Sequence, residues 1–99
     1  MLLATTYKFR DGNGEEGARR ANALFVNWTP PDGFEFKAHY QLADGTGGIA
    51  IVEADSAEAG LRAAATFAPY IEFDITPIVD IGDAIGIQNE AFGYWDSVS

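Results

Sequence analysis

His39 is the only histidine among the 99 residues, and so the one side chain whose ordinary titration falls near neutrality. Its chemistry would be that of a general base, a partner for a ligand carboxylate, or a metal ligand beside Glu53, Glu72 or Asp74. One imidazole with acids at no diagnostic spacing is a poor metal signal, so no metal site is assigned. Glu72 and Asp74 share one face of an alternating segment, and paired carboxylates can divide acid and base roles when burial separates their titrations. The plainer reading is a polar sheet face of Lys37, Glu53, Glu72 and Asp74, solvated or paired across strands, with Lys37 and Glu53 meeting in one possible hairpin register. Tyr7, Trp28, Phe36 and Tyr40 form an aromatic set that would line a ligand pocket if it were not simply core. Ser56, Ser97 and Ser99 have no histidine at a triad-like spacing, which argues against a serine nucleophile. Gly12 to Gly17 spells a G-x-G-x-x-G, yet Glu15 and Glu16 put negative charge where a pyrophosphate needs bare amides and a positive helix end. That run reads as a turn and a helix start.

Composition narrows the classes further. The chain is long enough for one core and too short for two ordinary domains. Fifteen acidic against six basic residues give a net charge of -9, so no basic surface can track a phosphate backbone, and an anionic membrane would repel the chain. Cysteine is absent, which removes disulfides, thiolate metal sites and cysteine nucleophiles together. With 47% hydrophobic and 21% charged residues the chain is of the folded class. The segment from Met1 to Lys8 lacks the pattern of a signal peptide, and no apolar run is long enough to span a bilayer, so a cytoplasmic location is expected.

Periodicity places the elements that must position these residues. Leu2 to Phe9 reads as a strand ending at the turn formers Asp11 to Gly14. Ala18, Ala21, Leu24, Phe25 and Trp28 mark one face of a helix that begins at Glu15 and is stopped by Pro30-Pro31. Phe34 to Leu42 alternates, with Phe34, Phe36, Ala38, Tyr40 and Leu42 on one face and Glu35, Lys37, His39 and Gln41 on the other. If the helices take the Phe34, Phe36 and Tyr40 face, His39 points to the sheet's other side, where the plainer reading is a hydrogen-bonded interface histidine. Asp44 to Gly48 turns the chain into an apolar strand, Ile49 to Ala54. Asp55 to Glu58 has the spacing of a capping box with Asp55 as N-cap, opening a helix whose face is Ala57, Leu61, Ala64 and Ala68. Tyr70 to Val79 alternates again, and Pro77 suits a strand at a sheet edge or its frayed end. The order strand, helix, strand, strand, helix, strand is the ferredoxin-like α+β pattern, with both helices on one face of a four-stranded antiparallel sheet. Residues 1–79 would form this domain. Residues 80–99 would be an extension docking on its own sheet or on a partner, with a short helix ending before Gly93.

With this element order, a chain of this size resembles the dimeric α/β-barrel superfamily, in which two sheets pack their helix-free faces together. More narrowly, Tyr7-Lys8-Phe9-Arg10-Asp11-Gly12, the hairpin Asp44 to Gly48, Val52-Glu53-Ala54-Asp55 and Phe73 to Ile78 resemble a family of small bacterial proteins classed as a domain of unknown function. The superfamily includes cofactor-independent monooxygenases, isomerases, haem-degrading enzymes, stress-response barrel proteins and ligand-sensing domains, and fold alone does not choose among them. The resemblance implies a homodimer without a cofactor, binding a small organic molecule. The alternatives are an oxygenase or isomerase with His39 as base, and an interaction protein without a ligand.

Overall fold

Eight residues of alternating character, from Leu2 to Phe9, become the central strand β1 because Leu3 and Thr5 bury one face while Thr6 and Lys8 stay in solvent on the other. Around it the computed structural model describes residues 1–98, with Ser99 lying outside them. The further elements are α1 (Gly14–Val26), β2 (Phe34–Gln41), β3 (Gly47–Ala54), α2 (Ala57–Phe67), β4 (Ile71–Ile78) and α3 (Ile81–Val98). The sheet runs β2-β3-β1-β4 with every neighbouring pair antiparallel. This is a ferredoxin-like α+β fold. Pro77 lies in β4, an edge strand, where a missing amide donor can be accommodated.

The helices depart from the sequence reading in detail. α1 ends at Val26, because Asn27 turns back on the last turn: its backbone N–H and its side-chain amide both donate to the Ala23 carbonyl. Trp28 therefore follows the helix instead of lying on it. In α2 the cap is Ser56, not Asp55: the Ser56 hydroxyl accepts from the Ala59 N–H, while the Asp55 backbone N–H donates to the Gly33 carbonyl. The buried face is accordingly Ala59, Gly60, Ala63 and Phe67, and Leu61 of the expected face is 67% exposed. Phe67 sets the choice, since its ring is the largest apolar group the helix can bury.

β2 carries the largest correction. A bulge at Lys37 breaks the alternation: Phe36 pairs with Val52, but Ala38 pairs with the next partner, Ile51. Everything after the bulge changes face. His39 and Gln41, opposite Ala50 and Gly48, join Phe34 and Phe36 on the helix side, while Ala38 and Tyr40 turn to the helix-free side. The tail differs too, since α3 is one continuous helix through Gly82, Gly86 and Gly93. Asp80 starts it by accepting from the Gly82 N–H on its carboxylate and the Ala84 N–H on its carbonyl. Glycine weakens a helix interior by about 0.5–1 kcal/mol per residue relative to alanine, which does not end a run without proline. Among the described residues no helix is long and apolar enough to cross a membrane.

Candidate functional site

A cavity of about 280 Å³ separates the helices from the sheet, and small side chains on both layers account for it. The sheet presents Ala50 at its centre, and the helices answer with Ala21, Gly60, Ala63 and Ala64, so neither layer fills the space between them. Rings close its sides. Trp28 packs on Phe67 with centroids 5.2 Å apart, and Phe34 on Phe36 at 5.3 Å, both edge to face. None of the lining residues is a lysine, arginine, aspartate or glutamate.

The polar pair of this cavity is built by two strand irregularities. Tyr7 on β1 faces Gly48 on β3, and a Cβ at Gly48 would overlap the Tyr7 hydroxyl and ring. Glycine there lets the phenol lie across β3 toward β2. The Lys37 bulge brings His39 onto the same face, and the Tyr7 hydroxyl lies 2.6 Å from His39 Nε2. Either imidazole tautomer satisfies this hydrogen bond, with the phenol donating to Nε2 or accepting from its N–H. Phe36 stacks on the imidazole at 4.8 Å with the planes 10° apart, and Phe25 meets it edge-on at 5.5 Å. In an uninterrupted strand, residues 36 and 39 would occupy opposite faces.

Electrostatics follow from this aromatic cage. Burial pushes the His39 pKa below the usual imidazole value of 6.5 and raises that of the Tyr7 phenol above 10.0. Both groups are therefore neutral at pH 7, an uncharged donor–acceptor pair in a mainly apolar lining whose other polar side chains are Thr5, Asn22 and Gln41.

Of the aromatic set read from the sequence, Tyr7, Trp28 and Phe36 line the cavity. Tyr40 does not: it is 71% exposed on the opposite side of the sheet, turned there by the bulge. His39 joins the aromatics instead of the carboxylates. Glu53, Glu72 and Asp74 occupy the helix-free face, and no cluster of three His, Asp or Glu that could hold a metal ion occurs among the described residues. Glu53 meets the N-terminal ammonium at 2.8 Å, and that hydrogen bond holds its carboxyl below the ordinary range. Lys37 pairs with Glu35 at 3.4 Å, and Glu35 is the residue opposite Glu53, so the register that would set Lys37 opposite Glu53 is not the one adopted, although the Lys37 charge still helps to lower the Glu53 carboxyl. Lys8 pairs with Glu72 at 3.3 Å, and all of these side chains are solvent-exposed surface charges worth little to stability. The G-x-G-x-x-G run is a turn followed by the first turn of α1, with Gly12 and Gly14 at positive φ and Gly17 buried against Asn13.

Sequence reasoning missed Phe25 and Phe67 as site residues, and above all the contact between Tyr7 and His39. The available signal was Gly47-Gly48 inside a strand, since glycine there marks a close approach by a neighbouring group.

Comparison with known proteins gives one finding. A family model described as Domain of unknown function (DUF3303) matches residues 1–92, and no curated protein matches the chain.

Proposed function

We propose that the chain, which belongs to the DUF3303 domain family, binds a small, flat, uncharged organic molecule in the cavity between its helices and sheet. The observation that carries this reading is the largely aromatic lining without a lysine, arginine, aspartate or glutamate, joined to the hydrogen-bonded pair Tyr7 and His39. A carboxylate ligand would lose its hydration with no cation to replace it, whereas a hydroxyl or carbonyl can share the hydrogen bonds of the pair. The resemblance to dimeric α/β-barrel proteins supports the same reading.

The test compares 2-naphthol with 2-naphthoate as probes, read by fluorescence of Trp28, whose ring lines the cavity. Naphthol is expected to bind saturably and naphthoate at least about tenfold more weakly, as an uncompensated buried charge requires. Tyr7→Phe or His39→Phe should weaken naphthol by roughly tenfold, the loss of about one hydrogen bond, and leave plain naphthalene unaffected. Absence of saturable binding, or preference for the carboxylate, would overturn the proposal.

The 2.6 Å contact favours a second reading, in which the same site is a cofactor-independent oxygenase or isomerase. A neutral imidazole with a lowered pKa is a general base at pH 7, able to take a proton from a bound phenol or an activated C–H. Solvent-deuterium exchange into a bound probe separates the two readings: exchange that disappears in His39→Phe supports catalysis, and none in the wild type leaves binding alone.

A further inference from the structure

We propose that the molecule held in the cavity carries two uncharged oxygen functions at opposite ends of a flat ring, and that the Thr5 hydroxyl receives the one that Tyr7 and His39 do not. This rests on the cavity being a ligand site, as proposed for it above. Thr5 lines the cavity and is 8% exposed. Its hydroxyl has no hydrogen-bond partner among the described residues, where a polar group this deep ordinarily has one. No fully buried side-chain oxygen among those residues lacks a partner, so the Thr5 oxygen keeps an accessible surface, and the cavity is the space it opens on. The other polar side chains outside the Tyr7–His39 pair, Asn22 and Gln41, are exposed and have water to satisfy them. Whatever satisfies Thr5 must enter the cavity.

The strand register sets how the two anchors stand. Ala50 on β3 is opposite Thr5 on β1 and opposite His39 on β2, so the three form one row across the sheet, with a hydroxyl at one end, an imidazole at the other and a methyl group between. Two strand spacings separate the ends, about 9–10 Å between backbones. Larger side chains flank the row. On one side Val52 is paired with both Leu3 and Phe36, and on the other the Tyr7 ring lies across Gly48. A flat ring resting on the Ala50 methyl is thereby aligned with the row, one end at the Tyr7–His39 pair and the other at Thr5. Oxygens on neighbouring ring carbons are too close together to reach both. A hydroxyl both donates and accepts, so Thr5 suits a second hydroxyl or a carbonyl alike. A charged second function would again find no lysine, arginine, aspartate or glutamate in the lining to offset its desolvation.

The experiment is isothermal titration calorimetry of the full chain with 2-naphthol, 2,6-dihydroxynaphthalene and 2,3-dihydroxynaphthalene. The 2,6 isomer is expected to bind roughly tenfold more tightly than 2-naphthol, the gain from satisfying a buried hydroxyl, and the 2,3 isomer no more tightly. Thr5→Val keeps the branched shape and the strand preference, and should abolish the advantage of the 2,6 isomer while leaving 2-naphthol unchanged, which also shows the variant to be folded. Thr5→Ser should keep the advantage. If 2-naphthol binds but the 2,6 isomer gains nothing, if the 2,3 isomer gains as much, or if Thr5→Val weakens both ligands alike, Thr5 is no anchor and the cavity reading stands without it. If 2-naphthol itself does not bind saturably, the cavity reading falls and this proposal falls with it.

Discussion

Gly48 decides where the Tyr7 hydroxyl can go, and through it the state of His39. A methyl group at this position would overlap the phenol and crowd the Tyr40 carbonyl of β2, so Gly48→Ala should push the Tyr7 ring off β3, shift β2 locally and break the contact with His39. The expected cost is about 1–3 kcal/mol, typical of overpacking, and an NMR titration should find the His39 pKa moved up toward 6.5 as the imidazole regains water. An unchanged titration would sink this account of the site. The same residue gives the molecule a pH dependence. Because the folded pKa of His39 lies below its unfolded value, the unfolded chain binds more protons between the two, and stability rises with pH there. The contribution is complete above 6.5 and lost as the pH falls below that value toward the folded pKa. Urea unfolding between about pH 7.5 and 5.5 should therefore show a decline that His39→Gln reduces; an identical slope in the variant would exclude His39 as its source.

At the scale of elements, the β2 bulge matters more than any single side chain. It puts Phe36 and His39 on one face and sends Tyr40 to the other, while the ladder on either side of Lys37 stays in register with β3. Lys37 is the additional residue in that ladder. Deleting it should leave Ala38 opposite Ile51 and His39 opposite Ala50, so the shortened protein is expected to fold with the His39 pKa still below 6.5. A titration near the unperturbed value in the deletion variant would mean that the bulge itself, beyond the register, holds the imidazole in place. The helices contribute differently. Their alanines and Gly60 create the cavity by what they omit, and Phe67 and Trp28 define its wall.

For the whole molecule, the acidic balance and the exposed apolar side chains, such as Ile49 on the helix-free face and Trp95 on α3, act against each other. Pairing two chains brings together net charges of -9 each, and the repulsion between them is long-ranged and screened by salt, whereas burial of Ile49 or Trp95 is not. Raising sodium chloride from about 0.05 to 0.5 M at constant pH should therefore tighten severalfold the homodimer that the barrel resemblance implies, measured by sedimentation at a fixed protein concentration. Dissociation on adding salt would mean that ion pairs, not apolar contacts, join the copies. The cavity should respond little to the same change, since its lining carries no lysine, arginine, aspartate or glutamate.

The local pattern alone determined the element order, the antiparallel hairpin from Phe34 to Ala54 and the absence of thiol chemistry, and left Pro77 to a sheet edge or a frayed strand end. These follow from period, turn residues and composition, which are properties of neighbours along the chain. Of the aromatic residues it singled out, Tyr7, Trp28 and Phe36 line the cavity and Tyr40 does not. Only the tertiary structure decided which face His39 takes, because a bulge is a mismatch between two strands and cannot be seen in either one alone. The same holds for the cap of α2, where Asp55 is claimed by Gly33 and Ser56 takes the helix end. The pairing of Tyr7 with His39 joins residues 32 positions apart across a glycine on a third strand. Periodicity assigns faces by counting along one strand, and here the count changes at Lys37 because β3 offers one fewer residue than β2 to pair with.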